Sequence, residues 1–207
     1  MTPPPDGASV LIDLLAGCET GRLFNPYRAV DPLHDAADGA ATRRRNLATY
    51  LAARSAPRAL LVGEAMGWRG GRFSGIAFTS ERQLADWGAP YAQSSCRPAG
   101  WTEASATIIH GVLAELGIED SVALWNTVPF HPHPPDRPLA NRAPLRGEVA
   151  LGLGFLDQAI ALLRPERIIA IGRVAEGSLG DRATARVRHP AQGGATACRD
   201  GLRRLLG

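Results

Sequence analysis

Lysine is absent from this chain: all 23 basic residues are arginines. That excludes chemistry needing a lysine amine, a Schiff base above all. Arginine cannot stand in, because its guanidinium stays protonated and is a poor nucleophile. The remaining amine is that of Met1, within the polar, proline-rich start Met1-Thr2-Pro3-Pro4-Pro5. Richness in alanine, glycine and arginine gives the absence a compositional explanation, and the chemical limit holds either way. Cysteine is scarce. Cys18, Cys96 and Cys198 are odd in number, far apart and form no C-x-x-C pair. The pattern excludes a zinc ribbon or an iron–sulfur cluster and suits a reducing compartment. No apolar run approaches the length of a membrane span, and the N-terminus lacks a signal-peptide pattern. A cytoplasmic protein without membrane attachment is therefore expected.

The chain has 207 residues and 45 % hydrophobic composition, which suits one domain, 1–207, with a sizeable core. The net charge of +3 is a mild basic excess that permits a polyanion partner without demanding one. Short apolar runs alternate with helical periodicity. Strands are predicted at Ala59–Val62, Ser121–Trp125, Arg167–Ile171 and Thr184–Arg188. Helices are predicted at Ala8–Cys18, Thr42–Ser55, Thr102–Leu116, Glu148–Arg164 and Ala195–Leu206, with a short one ending at Leu179. The alternation predicts an α/β single-domain three-layer sandwich: a central, mainly parallel four-stranded sheet with helices on both faces. The arginine run Arg43-Arg44-Arg45 reads as a solvated helix face and His110 as a structural helix residue. His131 and His133 stand i, i+2 among prolines without a cysteine or carboxylate partner pattern, so no metal centre is expected.

The stretch Ala59–Glu81 organises the rest. Its strand breaks at Gly63-Glu64-Ala65-Met66-Gly67 and runs into a glycine-rich loop carrying Trp68, Arg69, Arg72, Phe73, Ser74 and Phe78. The loop matches neither G-x-G-x-x-G nor the phosphate-loop pattern. The second strand runs into Asn126 and the fourth into His189-Pro190. In open α/β sheets, ligands sit beyond the carboxyl ends of the strands, so these groups share one edge. Together they suit a planar nucleobase. An aromatic face stacks on the base, a carboxamide reads its hydrogen-bonding edge, and a histidine donates to a carbonyl oxygen that gathers charge as a bond breaks.

In this order the motifs resemble the uracil-DNA glycosylase superfamily. Gly63-Glu64-Ala65-Met66-Gly67 is similar to its first motif, especially in the GEAPG-type branches. Ser74-Gly75-Ile76-Ala77-Phe78 resembles the segment ending in the base-stacking aromatic. Leu124-Trp125-Asn126 resembles the strand end with the uracil-reading asparagine, and His189-Pro190 resembles the HPSP-type motif. The resemblance implies His189 and Glu64 as catalytic groups. It implies Phe78, Asn126, Gly63, Ala65 and Met66 around the base, and Arg69, Arg72, Ser74, Arg188, Gln192 and Gly193 on DNA. Three departures stand out. Ala65 occupies the place of a water-positioning aspartate, which leaves Glu64 as the nearest carboxylate. Gly67 replaces the tyrosine that excludes the thymine methyl, which leaves Met66 or Trp68 for that task. The loop after His189 lacks a large apolar wedge, for which Gln192 or Arg188 would substitute. The implied activity is hydrolysis of the N-glycosidic bond of uracil in DNA by a monofunctional, cofactor-free monomer. Two alternatives remain: a uracil or abasic-site DNA-binding protein with little turnover, and a nucleoside- or nucleotide-binding enzyme.

Overall fold

The computed structural model describes residues 6–207; the proline-rich start with the Met1 amine lies outside the described residues. The strands are β1 (Leu23–Phe24), β2 (Ala59–Ala65), β3 (Val122–Val128), β4 (His131–Pro132), β5 (Ile168–Ile171) and β6 (Ala185–Val187). The helices are α1 (Gly7–Gly17), α2 (Gly39–Ala52), α3 (Gly71–Ser74), α4 (Glu81–Trp87), α5 (Ala104–Glu115), α6 (Arg146–Leu163), α7 (Arg173–Leu179) and α8 (Ala195–Leu206).

The main sheet has the order β3-β2-β5-β6, and every pairing in it is parallel. Near-continuous apolar runs explain this: Leu60, Leu61 and Val62, Val122 to Trp125, and Ile169 to Ile171 are all buried, as strands covered on both faces must be. Helices flank the sheet. α6 packs on β3 with α1 against α6, while α8 packs on β6 with α5 against α8. Because the strands are parallel, their carboxyl ends meet at one edge, where β2, β3, β5 and β6 deliver Glu64, Asn126, Gly172 and His189.

Two strands run further than their sequences predict. β2 continues through Ala65 and β3 through Val128, paired as Gly63↔Asn126 and Ala65↔Val128. Ladder hydrogen bonds keep Gly63 to Ala65 extended, and β3 stops only before Pro129, which has no N–H to donate. Asn126 thus lies within a strand, not after one. The antiparallel pair β1–β4, Leu23↔Pro132 and Phe24↔His131, has no counterpart in the sequence expectation, since two-residue strands carry no periodicity.

The glycine-rich loop is tied down by buried charge. Asp35 accepts from Arg43 and from Arg72, both at 3.1 Å, and Arg72 also reaches Asp31 at 2.8 Å. Arg43 further donates to the carbonyls of Pro26 and Ala29 and to the Ser94 hydroxyl. Arg72 lies between the Phe24 and Phe73 rings. Both guanidiniums have 0 % exposure, and Ser74 is equally buried. This corrects three expectations. Arg43 is not part of a solvated face, and neither Arg72 nor Ser74 can touch a DNA backbone. Buried charge persists where it is paired and hydrogen-bonded, a condition that sequence does not display.

Asp35→Ala leaves Arg43 and Arg72 without their shared carboxylate. It is expected to cost about 3–5 kcal/mol, the usual penalty for an uncompensated buried charge. Urea denaturation of the two proteins measures the difference.

Candidate active site

The site begins with a missing side chain. A Cβ built on Gly63 would stand 2.5 Å from Asn126 Oδ1 and 2.6 Å from Phe78 Cε2, distances that no real Cβ tolerates. Gly63 is therefore the gap through which the Phe78 ring and the Asn126 carboxamide reach the same point of the sheet edge.

Phe78 is held there by a wired turn. The Ser74 hydroxyl donates to Thr79 O at 2.7 Å and accepts from Ile76 N at 3.0 Å. Asn46 donates to Ser74 O at 3.0 Å and the Tyr27 hydroxyl to Gly75 O at 2.9 Å. Phe78 itself has φ +49°, a left-handed conformation that costs an aromatic residue about 1–2 kcal/mol and marks a position held for a purpose. Phe73 goes elsewhere: it is fully buried and stacks on Trp101 at 5.3 Å.

Asn126 is 2 % exposed, and its Nδ2 donates to the Met66 thioether at 3.4 Å. Sulfur is a weak acceptor, so a carbonyl oxygen brought to the same place competes well. Met66 is fixed through its backbone: its N–H donates to Phe130 O at 3.1 Å, and His131 Nδ1 lies 2.9 Å from its carbonyl. The other ring nitrogen of His131 faces Pro138 O at 3.0 Å, and burial holds this imidazole well down, at about 4. The two carbonyls oppose that shift, because both accept from the ring only when each nitrogen carries a proton.

His189 lies across from Phe78, with ring centroids 6.0 Å apart, and its Cβ packs over Gly172. Its Nδ1 accepts from Ala191 N at 3.1 Å. Burial holds its pKa below the ordinary histidine value. A neutral ring whose Nδ1 is the acceptor carries its proton on Nε2, so the group offered outward is a donor.

These residues open on a cleft of about 1040 Å³ lined by Glu64, Met66, Gly67, Phe78, Glu103 and His189, with Arg142, Arg173, Arg186 and Arg188 at its margins. Burial lifts Glu64 above the usual carboxylate range. Arg142 is engaged by Glu148 and Arg186 by Glu176. The exposed Arg188 donates to Gln192 O at 3.2 Å. Gln192 and Gly193 both have positive φ and form an exposed turn beside His189. Arg69 is exposed over the Trp68 ring.

Of the residues expected at the site, the structure brings together Gly63, Glu64, Ala65, Met66, Phe78, Asn126 and His189, with Arg69, Arg188, Gln192 and Gly193 exposed. Arg72 and Ser74 belong to the interior. Glu103 is the addition. In sequence it opens a helix, and that signal concealed it, because a carboxylate beside a helix start reads as a cap. Its carboxyl instead fills the space a side chain on Gly67 would take. Met66 lies under Asn126 and Trp68 meets Trp101 edge-on at 5.0 Å, so neither of them occupies that space.

The model of the "Uracil DNA glycosylase superfamily" matches residues 52–204. Among solved structures, the chain is similar to the crystal structure of wild-type Pedobacter heparinus SMUG2. The TM-score is 0.68 at 14 % identity, over 96 % of this chain and 94 % of that one, which is a likeness of fold. No curated protein sequence matches significantly. With the match spanning β2 to α8 and the four motifs meeting at one sheet edge, the chain belongs to the uracil DNA glycosylase superfamily, whose chemistry is DNA glycosylase-type hydrolysis.

Proposed function

We propose that this protein is a monofunctional uracil-DNA glycosylase that flips uracil out of DNA, hydrolyses its N-glycosidic bond and leaves an intact abasic site. The observation that carries the reading is the convergence of Phe78 and Asn126 through the gap at Gly63, with the His189 ring opposite. Uracil would stack on Phe78 while Asn126 exchanges its weak contact with Met66 for paired hydrogen bonds to the base edge. As the C–N bond breaks, its electron pair moves into the base, and the Nε2–H of a neutral His189 would donate to the oxygen that gathers the charge. Glu64 is the carboxylate available to hold water, since Ala65 offers none. Arg69 and Arg188, with the exposed N–H groups of the Gln192–Gly193 turn, suit phosphates. Ala65 also motivates a binding protein with little turnover; single-turnover release of uracil separates the two readings.

Three outcomes are expected. Asn126→Ala should lose about 1–3 kcal/mol of discrimination between uracil and cytosine, measured as the ratio of excision rates on matched oligonucleotides. His189→Ala should lower the single-turnover rate by about 10²–10³ while leaving the DNA dissociation constant nearly unchanged. A parallel loss of binding with an unaltered chemical step would make His189 a DNA contact instead. Borohydride should trap no covalent protein–DNA band on a uracil duplex, because the chain holds no lysine. A band that survives blocking of the N-terminal amine would contradict the monofunctional assignment.

A further inference from the structure

His110 on α5 is buried, and both of its ring nitrogens have partners from other parts of the chain. Nδ1 stands 2.8 Å from Glu119 Oε1, and Nε2 stands 3.2 Å from the Thr79 hydroxyl. The Trp87 ring meets the imidazole edge-on at 5.4 Å. Thr79 is fully buried and directly follows Phe78, and its hydroxyl donates to Ala77 O at 3.0 Å. That bond spans Phe78, the residue at φ +49° that lines the cleft. A hydroxyl has one hydrogen, and Ala77 O receives it. The Thr79 oxygen therefore faces His110 as an acceptor, and Nε2 supplies the hydrogen. The contact with an ionised Glu119 places a second hydrogen on Nδ1. In return, the hydrogen bond from the ring holds the Glu119 carboxyl below its ordinary value.

Glu119 opens the short turn Glu119–Ser121 that leads into β3, the strand that carries Asn126. Arg54 secures that turn by donating to Val122 O at 3.2 Å and to Glu119 O at 3.5 Å. The series Glu119, His110, Thr79 thus ties the turn of Phe78 to the root of the strand of Asn126, and these are the two groups that converge at Gly63. Ser74 holds the backbone of Thr79 through its carbonyl, whereas His110 holds its side chain. A left-handed aromatic residue persists only where its surroundings over-determine it. Release of Thr79 would let Phe78 relax and carry its ring away from the Gly63 gap.

Resting on the glycosylase reading, we infer that His110, braced by Glu119, is a positioning residue for base excision: it acts through the Thr79 hydroxyl to hold the Phe78 ring where the flipped base stacks. It touches neither the substrate nor the reacting atoms. Its contribution is to keep the stacking surface in place before the base arrives, so that binding the base does not also have to order the turn.

The test is a double-mutant cycle in single-turnover uracil excision. Phe78→Ala removes the stacking surface and should slow excision roughly tenfold to a hundredfold. Thr79→Val deletes the hydroxyl and keeps the shape, and His110→Ala deletes its partner. Each should slow excision about tenfold in the wild-type background, by weakening the same stacking. Beside Phe78→Ala each should cost less than about twofold, because nothing is left to position. Thr79→Ser, which restores the hydroxyl, should recover the wild-type rate to within about twofold. Affinity for uracil-free duplex should stay at the wild-type value in every variant, and urea denaturation checks foldedness. Thr79→Val carries the test if His110→Ala does not fold. Losses that persist in full beside Phe78→Ala overturn the inference and leave His110 as a core residue, and so do unchanged rates in Thr79→Val and His110→Ala. Excision by wild type with either result leaves the glycosylase reading intact, whereas no excision by wild type overturns both.

Discussion

No side chain fits on β2 at Gly63, because the space it would fill already holds the Phe78 ring and the Asn126 carboxamide. That exclusion holds the site together. β2 is the strand between β3 and β5, so its backbone is rigid and paired on both sides. An aromatic from the following loop and an amide from the neighbouring strand can meet only where that backbone has nothing projecting. The same device recurs at Gly67 and Gly70, where the absence of two Cβ atoms admits the Glu103 carboxyl, and at Gly172, which packs beneath His189. At Gly63, Gly67 and Gly70 the approaching side chains take the space of a Cβ, whereas at Gly172 the contact is tight and the positive φ favours glycine.

Holding a loop against such a gap requires an anchor. Here it is the pair of buried guanidiniums, Arg43 and Arg72, gathered on Asp35 and capped by backbone carbonyls. Ion pairs of this kind contribute little net stability over an apolar core, but a lost partner is costly, so they favour one arrangement strongly over its alternatives. The result is a loop stiff enough to keep Phe78 at positive φ. Glu81 does similar work nearby, accepting from Ser94, Ser95 and Trp101 and thereby fixing the segment that leads into Glu103.

The electrostatics of the cleft follow from what is left unpaired. Charged groups of the interior have partners, whereas Glu64 and Glu103 line the cleft with none among the described residues. Burial there favours neutral forms, lowering His189 and raising both carboxyls. A neutral His189 with its proton on Nε2 suits a leaving group that departs with negative charge, since a fixed donor stabilises that charge without reorganising.

The sequence by itself determined the fold class and the edge of the sheet at which the site lies. Alternating apolar runs and helical periods are local signals, and parallel strands necessarily bring their carboxyl ends to one side. Glu64, Phe78, Asn126 and His189 were legible because each comes after an apolar strand run in the sequence, in a recognisable order. The absence of lysine was equally plain. Only the tertiary structure decided which loop residues face inward. Arg69 and Arg72 look alike in a glycine-rich run, yet one is exposed and the other sealed between Phe24 and Phe73 by acids more than thirty residues away. Ser74 looks like a surface hydroxyl and is a turn clamp. Glu103 looks like a helix cap and is a cleft carboxyl, because the glycines that admit it lie over thirty residues earlier. Burial and pairing depend on segments distant in the chain, and no local pattern encodes them.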